Sequence, residues 1–334
     1  SSNLWPGLLE EGFLAPLTSI VPSTTTSALT TLWTGRTPAE HGVMGYEMYL
    51  KEYGLIANMI THSPASFVGD VGGLRRAGFQ PESFLPVPTL GPHLLASGVE
   101  SFAFQHISIA RSGLSTMLFP QVNVIPFRTL SDLWVSVPAF LESRQRDPLY
   151  TYIYWGELDE LSHRFGPQDR RVDLEFTHFT SLFEYFHTEL RKSSHGDTLL
   201  LLTADHGHLH TPANPHYELK NHPQLASCLH MIPSGENRLA YLYLRPGKEA
   251  QAQDYIQKTW PGEFVVLPAE QVIASGLMGS GTLHPRLAER LGDWVMIAQG
   301  NAYLWWADKE NLLRGRHGGL SRTEMLIPLF GLVV

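Results

Sequence analysis

Short runs of apolar, β-branched or aromatic residues recur at Leu149–Trp155, Thr198–Thr203, Leu239–Leu244, Asp293–Ala298 and Ala302–Trp306. Between several of them lie stretches with helical spacing, at Leu158–Phe165, Val172–Leu190 and Ala250–Thr259. Short continuous apolar runs fit strands buried on both faces, and their alternation with amphipathic helices is the pattern of an α/β sheet. The chain of 334 residues is 43% hydrophobic and 17% charged, enough apolar material to build a core without covalent staples. Pro and Gly concentrate at 63–92 and again from 211 to 235, which predicts irregular connections or a small lid rather than a flexible linker. The expectation is one domain over 1–334, with insertions or cap elements at 63–92 and 211–290.

Several function classes drop out on composition. A single cysteine, Cys228, cannot form an internal bridge, and it leaves the compartment open between the cytoplasm and an exported form. A formal charge of −8 with scattered Lys and Arg argues against coating a nucleic acid, since phosphate neutralisation needs clustered basic charge. No run reaches the roughly 18 apolar residues of a bilayer span; the longest candidate, Met325 to Val334, carries Pro328 and Gly331. Oligomeric state is not legible. The chain starts at Ser1 and enters a patterned region at once, so an upstream segment is expected.

Common catalytic motifs are missing: there is no G-x-S-x-G, no phosphate-loop G-x-x-x-x-G-K-[ST], no C-x-x-C and no H-E-x-x-H. What remains is a set of Asp and His residues at the ends of expected strands. Asp159 and His163 follow the run Leu149–Trp155 and stand four apart, so on a helix a carboxylate and an imidazole share one face and can reach one cation. Alone, that spacing also fits a solvated helical pair. Asp205 and His206 leave the run Thr198–Thr203, where open α/β sheets place ligands; a capped turn with an exposed His is the plain alternative. His317 lies beside Gly318 and Gly319, a setting ordinary for a turn. Taken together, carboxylates and imidazoles of this kind suit zinc or a similar divalent ion.

The hydroxyl cluster Ser23-Thr24-Thr25-Thr26-Ser27 precedes a helical stretch from Thr26 to Trp33. Ser23 or Thr24 could cap that helix. A hydroxyl at a helix N-terminus also suits phosphoryl chemistry, because the free backbone amides and the dipole favour an anion.

These segments resemble the type I phosphodiesterase/nucleotide pyrophosphatase family of the alkaline phosphatase superfamily. The likeness is carried by Pro22-Ser-Thr-Thr25, Thr34-Gly35, Pro38-Ala-Glu-His41-Gly42, Asp159-x-x-x-His163 with Arg-x-Gly-Pro167, Ala204-Asp205-His206-Gly207 and His317-Gly-Gly, in that order. The resemblance implies an alkaline-phosphatase-like three-layer sandwich with a mostly parallel central sheet and inserted cap-like loops. It implies a threonine nucleophile at Thr25 and two divalent ions, zinc by preference. Asp159, His163 and His317 would hold one ion, and Asp205, His206 and the Thr25 oxygen the other. His41 carries over as a structural residue, and the nearby His208 and His210 are expected outside the ligand set. The implied activity is hydrolysis of phosphodiester or pyrophosphate bonds through a phosphothreonyl intermediate, on a small phosphodiester or nucleotide.

Two departures stand out. The family's second site also takes an aspartate ending a first strand in Asp-Gly, and nothing before Thr25 matches it, so the expected upstream segment should contain that strand. Animal nucleotide pyrophosphatases place an asparagine after the nucleophile to hold phosphate; here none follows Thr25 until Asn58, which is either an equivalent substrate-binding donor or a turn residue. The same superfamily likeness admits a phosphonate hydrolase, a phosphomonoesterase or a mutase. A noncatalytic phosphate- or nucleotide-binding module is the reading from another class.

Overall fold

The computed structural model describes residues 4–144, 148–194 and 196–334. In chain order its helices are α1 (Leu4–Glu11), α2 (Thr25–Thr34), α3 (Pro38–His41), α4 (Leu90–Ala96), α5 (Gly113–Leu118), α6 (Leu130–Glu142) and α7 (Glu157–Phe165). They continue as α8 (Arg170–Ser193), α9 (Pro223–Cys228), α10 (Glu249–Thr259), α11 (Ala269–Ala274), α12 (Leu287–Leu291) and α13 (Arg322–Met325). The first strands are β1 (Phe13–Thr18), β2 (Glu47–Leu50), β3 (Leu55–Asn58), β4 (Ser63–Pro64), β5 (Glu100–His106), β6 (Asn123–Phe127) and β7 (Leu149–Tyr154). Then come β8 (Leu199–Thr203), β9 (Leu209–His210), β10 (Ser234–Glu236), β11 (Leu239–Leu242), β12 (Phe264–Pro268), β13 (Trp294–Ala298), β14 (Gly315–Arg316) and β15 (Leu326–Val333).

Parallel pairing is found in the sheet β6-β5-β7, where α5 and α6 carry the chain back between strands, as parallel neighbours require. The other pairings among the described residues are antiparallel: β1-β15-β8, the ribbon β14-β9, and the sheet β12-β13-β11-β10-β2-β3-β4. Residues 211–290 therefore supply β10, β11 and β12 to the same sheet as β2–β4, while 63–92 contains β4, short 3-10 turns and the start of α4.

The α8 helix buries Phe179, Phe183, Phe186 and Leu190, spaced so that they share one stripe, against Leu133, Trp134 and Val137 of α6. Each such side chain contributes about 1.5–3 kcal/mol on burial. Leu200 and Leu202 of β8 and Phe330 and Leu332 of β15 join the same core.

Two expectations need correction. The run Thr198–Thr203 was expected to be buried on both faces, but among the described residues β8 pairs only with β15, and Leu199 and Leu201, on its uncovered face, are 63% and 56% exposed. Side chains alternate along a strand, so only the face bearing Leu200 and Leu202 meets helices. The run Ala302–Trp306 is not a ladder strand; Trp305 makes one bridge to Glu218. Its aromatics instead surround a buried guanidinium, with Arg316 stacked 3.7 Å over Tyr303.

Candidate active site

The loop ahead of α2 is fixed from the far end of the chain. Ser23 Oγ donates to Gly319 O at 2.8 Å, and Gly318 N–H donates to Ser23 O at 3.0 Å. Thr24 takes the N-cap position in an extended conformation, φ −142 and ψ 148, without a side-chain capping bond. Neither Ser23 nor Thr24 therefore spends its hydroxyl on the helix. Thr25 opens α2, and its Oγ1 donates to Asp205 Oδ2 at 2.8 Å and lies 3.1 Å from His206 Nε2. The first intrahelical bond runs from Ala28 N–H to Thr24 O, so the amides of the preceding turn have no helical acceptor.

The Asp159/His163 pair sits on α7, one face up, directly after β7. Asp205 and His206 leave β8, and Gly207 lets their loop run against the chain behind it: a Cβ there would meet Thr323 O at 2.1 Å. His317 arrives just after β14. The structure thus gathers the five predicted Asp and His residues around Thr25. His163 Nε2 and His317 Nε2 are 3.2 Å apart, and they lie 3.5 and 3.7 Å from Asp159 Oδ1. His206 Nε2 is 3.6 Å from Asp205 Oδ2 and 3.9 Å from Asp159 Oδ1, so the two donor groups adjoin.

The ring tautomers follow from the acceptors. His163 Nδ1 donates to Gly315 O at 2.9 Å, His317 Nδ1 to Ser23 O at 3.1 Å and His206 Nδ1 to Gly207 O at 3.0 Å. A carbonyl can only accept, so each Nδ1 carries a hydrogen, and in the neutral rings of His163 and His317 Nε2 is left with a lone pair facing the cluster. Burial, and then neighbouring imidazoles, depress His317 well below its usual range, and burial likewise depresses His163. Two neutral nitrogens facing each other at 3.2 Å repel unless a cation or proton lies between them. The donor set therefore fits a divalent ion. Burial alone would raise the Asp159 carboxyl, but the His208 hydrogen bond, with the imidazoles gathered around it, outweighs that and holds it well below the usual carboxylate range. For His206 burial works downward, and the carboxylates of Asp205 and Asp159 outweigh it and raise the imidazole.

One placement differs from expectation. His208 donates from Nε2 to Asp159 Oδ1 at 2.6 Å and belongs to a compact group of donor atoms from Asp159, His163, His208 and His317, all within 4.8 Å of one another. His210 lies in β9, paired with Gly315, outside that group. The extended run His206-Gly207-His208 contains the missed signal, because alternate residues share a face.

His41, the last residue of α3, is buried against α2: its Nδ1 accepts the Val43 N–H at 3.0 Å and its Nε2 donates to Thr31 Oγ1 at 3.1 Å. Burial, then the Arg290 charge, push its pKa down to about 3, which keeps it neutral. Asn58 closes the turn after β3, where Oδ1 accepts the N–H groups of Ile60 and Thr61 at 3.0 and 2.9 Å. Tyr154, at the end of β7, lines a pocket with Thr25, Leu29, Gln105, Ser112 and Phe119. Burial, then the Asp205 and Asp159 charges, hold its phenol protonated. Nothing in an apolar run marks one tyrosine as facing Thr25. Glu236, at the end of β10, accepts the Tyr46 N–H at 2.7 Å, and burial pushes its pKa up to about 7.

A family model for type I phosphodiesterase/nucleotide pyrophosphatase matches residues 7–320. No match was found among curated proteins. Among solved structures, the fold is similar to murine ectonucleotide pyrophosphatase/phosphodiesterase 5, in an inactive form in complex with AMP, with a TM-score of 0.72 at 16% identity, over 98% of this chain and 82% of that one. The human counterpart gives 0.72 at 15% identity over 98% and 81%. Phosphonoacetate hydrolase from Sinorhizobium meliloti 1021, in complex with phosphonoformate, gives 0.68 at 17% identity over 98% and 83%.

Proposed function

Because the chain belongs to the type I phosphodiesterase/nucleotide pyrophosphatase family, we propose that it is a metal-dependent hydrolase of phosphodiester or pyrophosphate bonds, with Thr25 as nucleophile. One observation carries the reading: the Thr25 hydroxyl stands at the start of α2, hydrogen-bonded to Asp205 beside a cluster of imidazole lone pairs that needs a cation. Asp159, His163 and His317 would hold one divalent ion, and Asp205, His206 and Thr25 Oγ1 a second, with zinc favoured by the imidazole-rich donor set. Such ions would acidify the hydroxyl and neutralise charge on the phosphoryl oxygens.

The protein's own part is to hold, aim and deprotonate. Thr25 Oγ1 attacks phosphorus as its proton passes to Asp205 Oδ2, 2.8 Å away. A Thr25–phosphorus ester forms, the bond to the leaving oxygen breaks, and that oxygen takes a proton from solvent. The amides at the start of α2 favour the transferring anion. Water then attacks phosphorus, the Thr25–phosphorus bond breaks, the proton held on Asp205 returns to Thr25 Oγ1, and the proton lost by the water leaves to solvent.

The pocket beside Thr25 favours the ester reading. Its lining of Leu29, Ile60, Leu114, Phe119 and Tyr154, with Gln105 and hydroxyls, has no Lys, Arg or His. It suits an uncharged organic substituent on phosphorus better than a carboxylate, which would need a cationic partner. Comparing bis-p-nitrophenyl phosphate, p-nitrophenyl phosphate and phosphonoacetate as substrates tests this directly. The diester should turn over fastest; equal or faster release of phosphate from phosphonoacetate overturns the ester reading.

A further inference from the structure

We propose that His208 is a fourth, displaceable ligand of the ion assigned to Asp159, His163 and His317, closing its coordination at rest and yielding a position to substrate oxygen. The inference rests on the metal-dependent reading above.

Four donors converge where three were expected. His208 Nε2, His163 Nε2 and His317 Nε2 lie 2.6, 3.5 and 3.7 Å from Asp159 Oδ1, and the latter two nitrogens are 3.2 Å apart. Bonds of about 2.0–2.1 Å to a tetrahedral ion put its ligands roughly 3.3 Å from one another, so the group needs only small shifts to enclose one ion. The Gly207 backbone turns His208 inward beside His206 and leaves its ring among imidazoles, 4.8 Å from that of His163 and 5.1 Å from that of His317.

What separates His208 from its neighbours is its other nitrogen. His163 and His317 are locked by Nδ1 bonds to Gly315 O and Ser23 O, which fix both ring direction and tautomer. His208 Nδ1 is buried without any hydrogen-bond partner. With no acceptor to pin it, the ring is free to carry its hydrogen on either nitrogen. With hydrogen on Nδ1, Nε2 can ligate; with hydrogen on Nε2, it makes the bond to Asp159 seen here. A fully protein-ligated ion is closed, whereas a reacting one keeps a position open. A single unanchored ligand reconciles the two.

The test uses the full chain loaded with cobalt(II), whose visible bands are intense when four-coordinate and weaken as coordination rises. Wild type should show the intense bands and, when inorganic phosphate is added, keep their intensity while their wavelengths shift, as an oxygen takes the place of the His208 nitrogen; loss of intensity would mean that phosphate adds without displacing His208 and would overturn the proposal. His208→Gln keeps a donor for Asp159 but ligates poorly, so it should show the shifted bands before phosphate and hold one ion at least about 100-fold less tightly, beyond what lost outer-shell support alone tends to cost. His208→Ala should behave alike, and His210→Ala like wild type. A Gln variant with wild-type bands and affinity within about threefold would leave His208 as a hydrogen-bond partner only and overturn the proposal. Failure of wild type to bind cobalt would instead remove the metal reading beneath it.

Discussion

The two halves of the site are built on different plans. Around Asp159, three imidazoles and a carboxylate converge, and two of the rings are clamped to backbone carbonyls contributed by segments far away in the chain. Around Asp205, one carboxylate and one imidazole face the Thr25 hydroxyl, whose shortest contact is the one to Asp205. The first half has the carboxylate and fixed lone pairs that suit an ion. On the reading proposed above, the second holds the nucleophile. Affinity should therefore reside in the first and reactivity in the second.

The sharpest way to break that comparison is Thr25→Ala. It should abolish phosphodiester hydrolysis, by about 10⁴-fold or more, as expected when a covalent nucleophile is removed. The metal held around Asp159 should survive, which metal analysis of the purified variant would show. Turnover within tenfold of wild type would refute the assignment. Next in size, His317→Ala should lose about one ion per chain, and His210→Ala none, because the Nε2 lone pair that faces His163 is gone in the former. Equal losses would show that the first half is not the retaining half.

Support for each half can be tested separately. Glu324 is fully buried and grips Arg238 with both oxygens at 2.7 and 2.9 Å while accepting the N–H of Gly319, two residues from His317. Glu324→Ala strands the Arg238 charge and should cost about 3–5 kcal/mol in denaturant titration. Glu236 lies behind the second half, near His206, and burial holds its pKa at about 7 against 4.5 in the unfolded chain. Between those values the unfolded state sheds a proton that the native state keeps, so stability is full below pH 4.5 and declines as pH rises toward 7. Glu236→Gln should remove that decline, worth up to about 3 kcal/mol. Its melting temperature should exceed wild type at about pH 8 and match it near the acid end; parallel curves would put the carboxyl's burial in question.

The residues legible from sequence were those whose chemistry is local. Asp159 and His163 share a helix face by spacing, and Asp205 and His206 stand where an apolar run stops. His208 was misplaced because its role depends on a tight backbone passage at Gly207 against Thr323, a tertiary fact. The exposure of Leu199 and Leu201 depends on one face of the β1-β15-β8 sheet being uncovered, and an apolar run says nothing of the layers beside it. Tyr154 reads as core until the Thr25 pocket is seen against it. Ala302–Trp306 has the composition of a strand, yet Tyr303 and Trp305 stack on Arg316 and Trp306 donates to Glu47.

The clasp between Ser23 and His317 sets the order in which the molecule can be made. His317 Nδ1 reaches Ser23 O across 294 residues of chain. At about 5–20 residues per second, ribosomal synthesis delivers that histidine roughly 15–60 s after the serine. Once Asp205 has been made, the nascent polypeptide has Thr25, Asp159, His163 and Asp205 but still lacks His317, whose Nε2 faces that of His163. Maturation of the first half therefore waits for His317.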